Sequence, residues 1–270
     1  MPFTIEHTMV FMITTTIICY LTAAGLQGLY LLGWLKNPAI KNWIRVIGIL
    51  AVSFHGYLLY CWIDTVIGQN LAPVNILSMI TWLSALLVLL ISLYKPVLNL
   101  VVFCLPLAAL SMLLVRLFPD QYLINTADHP EAVIHVLLAI LAFSILVLAA
   151  LQALLLAMQD WQLRRKQPWR IIYVLPPLET MEILLFQLIG LGFIILSMVL
   201  VSSFLLLRGL EPAAPLNHKV ELAIVAWVLF AALLIGRYCY GWRGRTAIQW
   251  TLAGVGVLML SYFGSQFLLK

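Results

Sequence analysis

Charge is scarce in this chain. Asp, Glu, Lys and Arg together make up 9% of its 270 residues, where soluble domains carry about 25%. That shortage excludes an ordinary water-soluble globule. No acid lies deep in an apolar run; all stay near the ends. A carboxylate at bilayer depth is the usual mark of a proton or cation pathway, so its absence argues against a stand-alone transporter or channel. The four cysteines, Cys19, Cys61, Cys104 and Cys239, are scattered and form no CxxC pair, which removes thiol-redox and zinc signatures. Those within apolar runs behave as small apolar residues. There is no Walker loop, no GxGxxG after a strand, no HExxH and no nucleophile elbow, and no catalytic activity of the chain's own is expected. No connection is long enough to fold as a soluble domain, and no repeat is present.

Hydrophobicity fills the space that charge leaves. The chain is 64% hydrophobic with a mean hydropathy of +1.08. A membrane span needs roughly 20 apolar residues, and eight stretches meet this, at 8–32, 43–62, 72–94, 96–116, 132–158, 180–207, 219–237 and 246–268. The runs are continuous, whereas barrel strands alternate and are about ten residues long. The expected fold is therefore an all-α polytopic membrane protein, one integral membrane domain over 1–270. The first seven residues hold no basic region, and no small-residue cleavage site follows the first run, so no removable signal peptide is expected.

The positive-inside rule orients the spans. With the N-terminus outside, the inner connections hold Lys36, Lys41, Arg45, Lys95, Arg164, Arg165, Lys166, Arg170, Arg237, Arg243 and Arg245, which is 11 of 15 basic residues. Glu6, Asp64, Asp120, Asp128, Glu131, Glu211 and Glu221 fall outside. Both termini are thus expected outside, and the net charge of +5 reflects topology and contact with membrane lipids, with no nucleic-acid partner implied.

The connections read as follows. Phe118–Glu131 is a turn-rich outer link that starts a helix. Arg164-Arg165-Lys166 in the longest inner link faces anionic headgroups. Leu175-Pro176-Pro177-Leu178-Glu179 opens the sixth span, since proline costs little in a first helical turn, and Glu179 and Glu182 suit the positive end of that helix. Gly241-Trp242-Arg243-Gly244-Arg245 is a tight inner hairpin, its glycines permitting the bend.

Two histidines stand out. His55 lies 12 residues into the second span, about 18 Å at the helical rise and so past the midplane of a ~30 Å core. His135 lies about 5 Å inside the fifth span from its outer end. His218 precedes the seventh span at its outer end, His7 starts the first, and His129 lies in an outer loop, so every histidine falls on the outer half. A titratable ring inside a span faces protein or a cavity. It either hydrogen-bonds a neighbouring helix or ligates a metal or haem iron.

Four stretches together carry a family resemblance. They are His55 with Cys61-Trp62 and Gly68-Gln69-Asn70-Leu71-Ala72-Pro73-Val74-Asn75; His135 at a helix opening; Leu175–Glu179 with Gly190-Leu191-Gly192-Phe193; and Ala226-Trp227, Gly241–Arg245 and Tyr262-Phe263-Gly264. In order and spacing the chain resembles the cytochrome c assembly family of haem-handling membrane proteins, and within it the CcsA-like, YpjD-like branch. The resemblance implies a multi-pass protein of the bacterial inner (plasma) membrane that holds haem at the outer, periplasmic face and presents it to apocytochrome c. It implies His135 as the outer axial ligand and His55 as the ligand within the membrane.

The chain departs from that pattern in three places. Where the tryptophan-rich WWD segment belongs, before span seven, it reads Pro215-Leu216-Asn217-His218-Lys219 without tryptophan. The acid expected shortly after Asn75 is missing, with Ser78 nearby. The histidine expected near the inner end of span seven is replaced in the Ile235-Gly236-Arg237 region. His218 stands as an alternative outer ligand opposite His135. The second reading is a family member without haem transfer that serves as an accessory subunit of another membrane protein, such as an ion transporter.

Overall fold

Among the described residues, the long apolar runs form helices in the computed structural model, since lipid offers no partner for a backbone N–H or C=O and a helix satisfies them within one segment. The structure describes residues 2–65, 68–124, 130–164, 174–207 and 218–264. Among these, eight helices are long and apolar enough to cross a membrane. They are α1 (Pro2–Leu31), α2 (Ile40–Ile63), α3 (Pro73–Ile91), α4 (Val101–Leu117), α5 (Pro130–Arg164), α6 (Leu178–Leu207), α7 (His218–Tyr240) and α8 (Gly244–Met259). A π-type turn, Leu260–Gly264, extends α8.

Local chemistry explains the helix ends. Gly33 closes α1 in the left-handed region at φ 75°, with Gly33 N–H donating to Tyr30 O and Trp34 N–H to Leu29 O, both at 3.0 Å. This is the Schellman pattern, which needs a residue without a Cβ at that point. Pro73 sits in the first turn of α3. That helix stops at Ile91 rather than continuing to 94 as expected. Arg45 of α2 holds its end, donating from Nη2 to Ser92 O at 2.9 Å and from Nε to Ser92 Oγ at 3.2 Å. A short 3₁₀ turn, Leu98–Leu100, leads into α4. Helix α5 runs on to Arg164, past the expected 158; Gln159 and Gln162 are still buried there, and Asp160 pairs with Arg164 one turn on at 3.0 Å.

Three short strands were not foreseen. β1 (Asp64–Thr65), β2 (Gly68–Asn70) and β3 (Leu123–Ile124) form an antiparallel sheet in the order β1-β2-β3. Its register pairs Asp64 with Gln69 and Asn70 with Leu123.

The chain divides into two compact units, one built on α1–α4 and the other on α5–α8. In the first, α1 packs on α2 and α4, and α3 closes the ring between α2 and α4. Tyr20, Ile44, Leu58, Ile80, Leu105 and Met112 fill its interior. In the second, α5 packs on α6 and α8, and α7 closes the ring. Leu146, Leu155 and Phe230 fill that interior. Lipid tails are as apolar as leucine, so helix association in a membrane rests on close packing and interhelical hydrogen bonds. The second unit uses the first device at Gly192, where a Cβ would come within 2.6 Å of Leu146, and at Gly254, where it would come within 2.8 Å of Phe230. The first unit uses it at Gly48, where a Cβ would come within 2.9 Å of Leu89, and adds the second device, described next.

Candidate functional site

His55 is completely buried in the first unit, and both ring nitrogens are engaged. Tyr20 Oη of α1 lies 3.1 Å from Nδ1, and Ser78 Oγ of α3 lies 2.9 Å from Nε2. Ser111 Oγ of α4 lies 2.7 Å from Thr81 Oγ1 and 3.4 Å from Ser78 Oγ, and bonds Ala108 O at 2.8 Å. One polar chain thus touches all four helices. The buried Tyr20 hydroxyl needs an acceptor for its proton, and Nδ1 is the acceptor it has. That leaves Nε2–H to donate to Ser78. The tautomer follows from this network. Binding a metal at Nε2 would require giving up the Ser78 hydrogen bond. Ser78, noted where an acid was expected after Asn75, is therefore the partner of His55, and its neutral hydroxyl suits a neutral ring.

His135 differs. It sits on α5 in the second unit, half-buried, with Nδ1 2.8 Å from Ser202 Oγ on α6. Ser202 in turn donates its own proton to Val199 O at 2.8 Å. With that proton committed, Ser202 Oγ accepts from Nδ1–H. Nε2 is left as a lone-pair nitrogen with no partner among the described residues. A ring held by one N–H with its other nitrogen bare is the arrangement that metal-ligating histidines adopt. Ser202 also lines an apolar groove of about 450 Å³ along α6, with Phe193, Ile194, Ser197, Met198, Val201 and Leu205. Trp227 of α7 braces its far part. Its indole N–H donates to Ser197 Oγ at 2.8 Å, and its ring stacks on Phe193 at 5.2 Å between centroids. The groove and His135 are linked through Ser202, which lines the one and holds the other.

His218 begins α7 and is exposed, its Nδ1 3.2 Å from Glu221 Oε2. It shares no hydrogen-bond partner with His135. Residues 208–217, including the Pro215-Leu216-Asn217 segment, and His129 lie outside the described residues. Among the described residues, no three His, Cys, Asp or Glu side chains gather closely enough to hold a metal ion.

Glu182 corrects the sequence reading of its role. It reaches the N-terminus of α8 instead of serving its own helix. Its Oε1 accepts from Gly244 N–H at 2.8 Å, and its Oε2 lies 3.3 Å from Arg243 Nε. Gly244 takes φ 53°. The Trp242 ring packs against Gly236, where a Cβ would not fit.

The sequence reading missed a second site altogether. Trp62, Asn70, Asn75, Val115, Arg116, Pro119, Asp120 and Gln121 line a cleft of about 220 Å³ in the first unit. Asn70 organises it, donating to Asp120 O at 3.1 Å and accepting from Ala72 and Tyr122 N–H at 3.2 and 3.0 Å. The Asn70 bonds across it span 50 and 52 residues of sequence, so no local pattern announces it.

Comparison with known proteins accords with this architecture. Residues 43–270 match the model of the cytochrome C assembly protein family. The chain is 28% identical over 233 residues to Inner membrane protein YpjD of Escherichia coli strain K12, covering 86% of this chain and 88% of that protein. It is 28% identical over 136 residues, half of each chain, to an uncharacterized 28.8 kDa protein of Azospirillum brasilense encoded in a nifR3-like 5' region. No solved structure matches. With a family match across most of its length and eight membrane-length helices, the chain belongs to the cytochrome c assembly protein family, as a multi-pass inner-membrane protein with a role related to cytochrome c biogenesis.

Proposed function

We propose that the protein binds haem through His135 and handles it at the periplasmic face of the inner membrane, with both chain termini on that side. The observation that carries this reading is the Nδ1–Ser202–Val199 relay, which orients the imidazole and leaves Nε2 free. His135 Nε2 would hold the haem iron, and the bound group would supply redox-active iron chemistry to the apoprotein that receives the haem. His218 is the candidate for a second ligand, being exposed at the start of α7. His55 braces helices in this reading. The recipient is apocytochrome c or another membrane protein.

The test is an absorption spectrum of purified protein, oxidised and reduced, after haem supplementation during expression. A Soret band that weakens in His135→Ala and persists in His55→Ala supports the reading. Colourless wild-type protein overturns it.

A second reading has its own support in the fully engaged His55 and the absent tryptophan segment. In it the protein has lost haem transfer and serves as an accessory subunit of another membrane protein, such as an ion transporter. A colourless protein that co-purifies with a membrane partner in mild detergent favours this reading; a coloured one without a partner counts against it.

A further inference from the structure

The cleft between the end of α2 and the end of α4 has a buried amide side chain in its wall and a rim that carries both signs of charge. Asn75 is 4% exposed. Its amide nitrogen donates to Asn70 O at 3.1 Å, an atom that can only accept, so the amide orientation is settled. Its Oδ1 has no partner among the described residues. Asn75 lines the cleft, so this acceptor is open to a donor that enters it. On the rim, Asp120 uses one carboxylate oxygen on Gln121 N–H at 2.9 Å. Arg116 has no hydrogen-bond or ion-pair partner among the described residues, and no ion pair joins it to Asp120. Trp62 adds an aromatic wall, suited to a cation.

Depth narrows the ligand. Arg116 is in the last turn of a membrane-spanning helix, and Trp62 is near the end of another. Exposed Tyr60, Phe118 and Tyr122 surround this level, as aromatic side chains do at a membrane–water interface.

We propose that this cleft binds the zwitterionic headgroup of a phosphatidylethanolamine-type lipid. Arg116 takes the phosphate, and Asp120 with Asn75 Oδ1 takes the primary ammonium. The source is lipid because the cleft sits at headgroup level beside the bilayer.

Native mass spectrometry of the full chain, supplied with phosphatidylethanolamine and phosphatidylglycerol of identical acyl chains, tests this. The wild type is expected to retain phosphatidylethanolamine preferentially. Asp120→Asn keeps the bond to Gln121 and is expected to weaken that retention roughly tenfold, the worth of one charge-assisted hydrogen bond, while sparing phosphatidylglycerol. Arg116→Gln is expected to weaken both lipids. Equal retention of the two lipids by the wild type, or an unchanged preference in Asp120→Asn, overturns the proposal. So does displacement of the lipid by equimolar soluble glycerophosphoethanolamine, which would make a soluble zwitterion the ligand.

Discussion

Ser202 spends its hydroxyl proton on Val199 and therefore receives, at 2.8 Å, the Nδ1–H of His135. The direction of one serine proton decides whether the unpartnered Nε2 of the histidine keeps its lone pair. The same residue type acts differently at Ser78. There it receives Nε2–H from His55, whose other nitrogen is already taken by Tyr20. Two intramembrane histidines with similar sequence surroundings thus differ in the chemistry left open to them.

Ser202→Ala removes the group that orients His135 without touching Nε2. Outer-shell partners of metal-bound histidines typically contribute 10–100-fold in affinity. Haem titration is expected to show weakening of roughly that order. Unchanged affinity would mean that the hydroxyl does not set the ring.

Tyr20→Phe deletes one bond of the four-helix network and leaves packing intact. Interhelical hydrogen bonds in membranes are worth about 0.6 kcal/mol on average and up to ~1.7, so a loss in that range is expected. His55→Ala orphans Tyr20 and Ser78 and opens a cavity, with an expected loss of ~2–4 kcal/mol. Unfolding titrations in mixed micelles measure both. A His55→Ala loss no larger than that of Tyr20→Phe would contradict the bracing role.

Glu182 serves α8 through a backbone N–H and an ion pair. Arg243 is 57% exposed, so solvent screens the ion pair and little of its Coulomb energy counts. Glu182→Gln, which keeps the acceptor for Gly244, is expected to cost under about 1 kcal/mol. Glu182→Leu leaves Gly244 N–H unmet and is expected to cost ~1–3 kcal/mol. Equal costs would show that the ion pair, not the cap, is what matters.

Cys239 is exposed near the end of α7, on the side that the basic residues assign to the cytoplasm. In a variant retaining only this cysteine, a membrane-impermeant maleimide is expected to label inside-out vesicles and to spare intact spheroplasts. The reverse pattern would invert the proposed orientation.

Much of the fold was legible in the residues themselves. Eight apolar runs can only be spanning helices where the solvent is lipid. Gly33 with the turn after α1, and Pro73 at the start of α3, mark helix ends by local backbone rules. The expected ends failed where a distant side chain intervenes, as Arg45 does at the end of α3. The β1–β3 sheet has strands of two or three residues, too short to show any alternation.

The candidate sites divide along the same line. Composition and span depth singled out His55 and His135, because a ring nitrogen in hydrocarbon must find something to bind. Which of them keeps a nitrogen open depended on Ser78 and Ser202, 23 and 67 residues away. The helix served by Glu182 and the joining of Asn75 with Arg116 in one cleft likewise arise only when helices pack. Hydrophobic pattern is a property of consecutive residues and could be read from the chain. Hydrogen-bond direction and charge placement depend on which side chains meet across helices, and only the tertiary structure decides that.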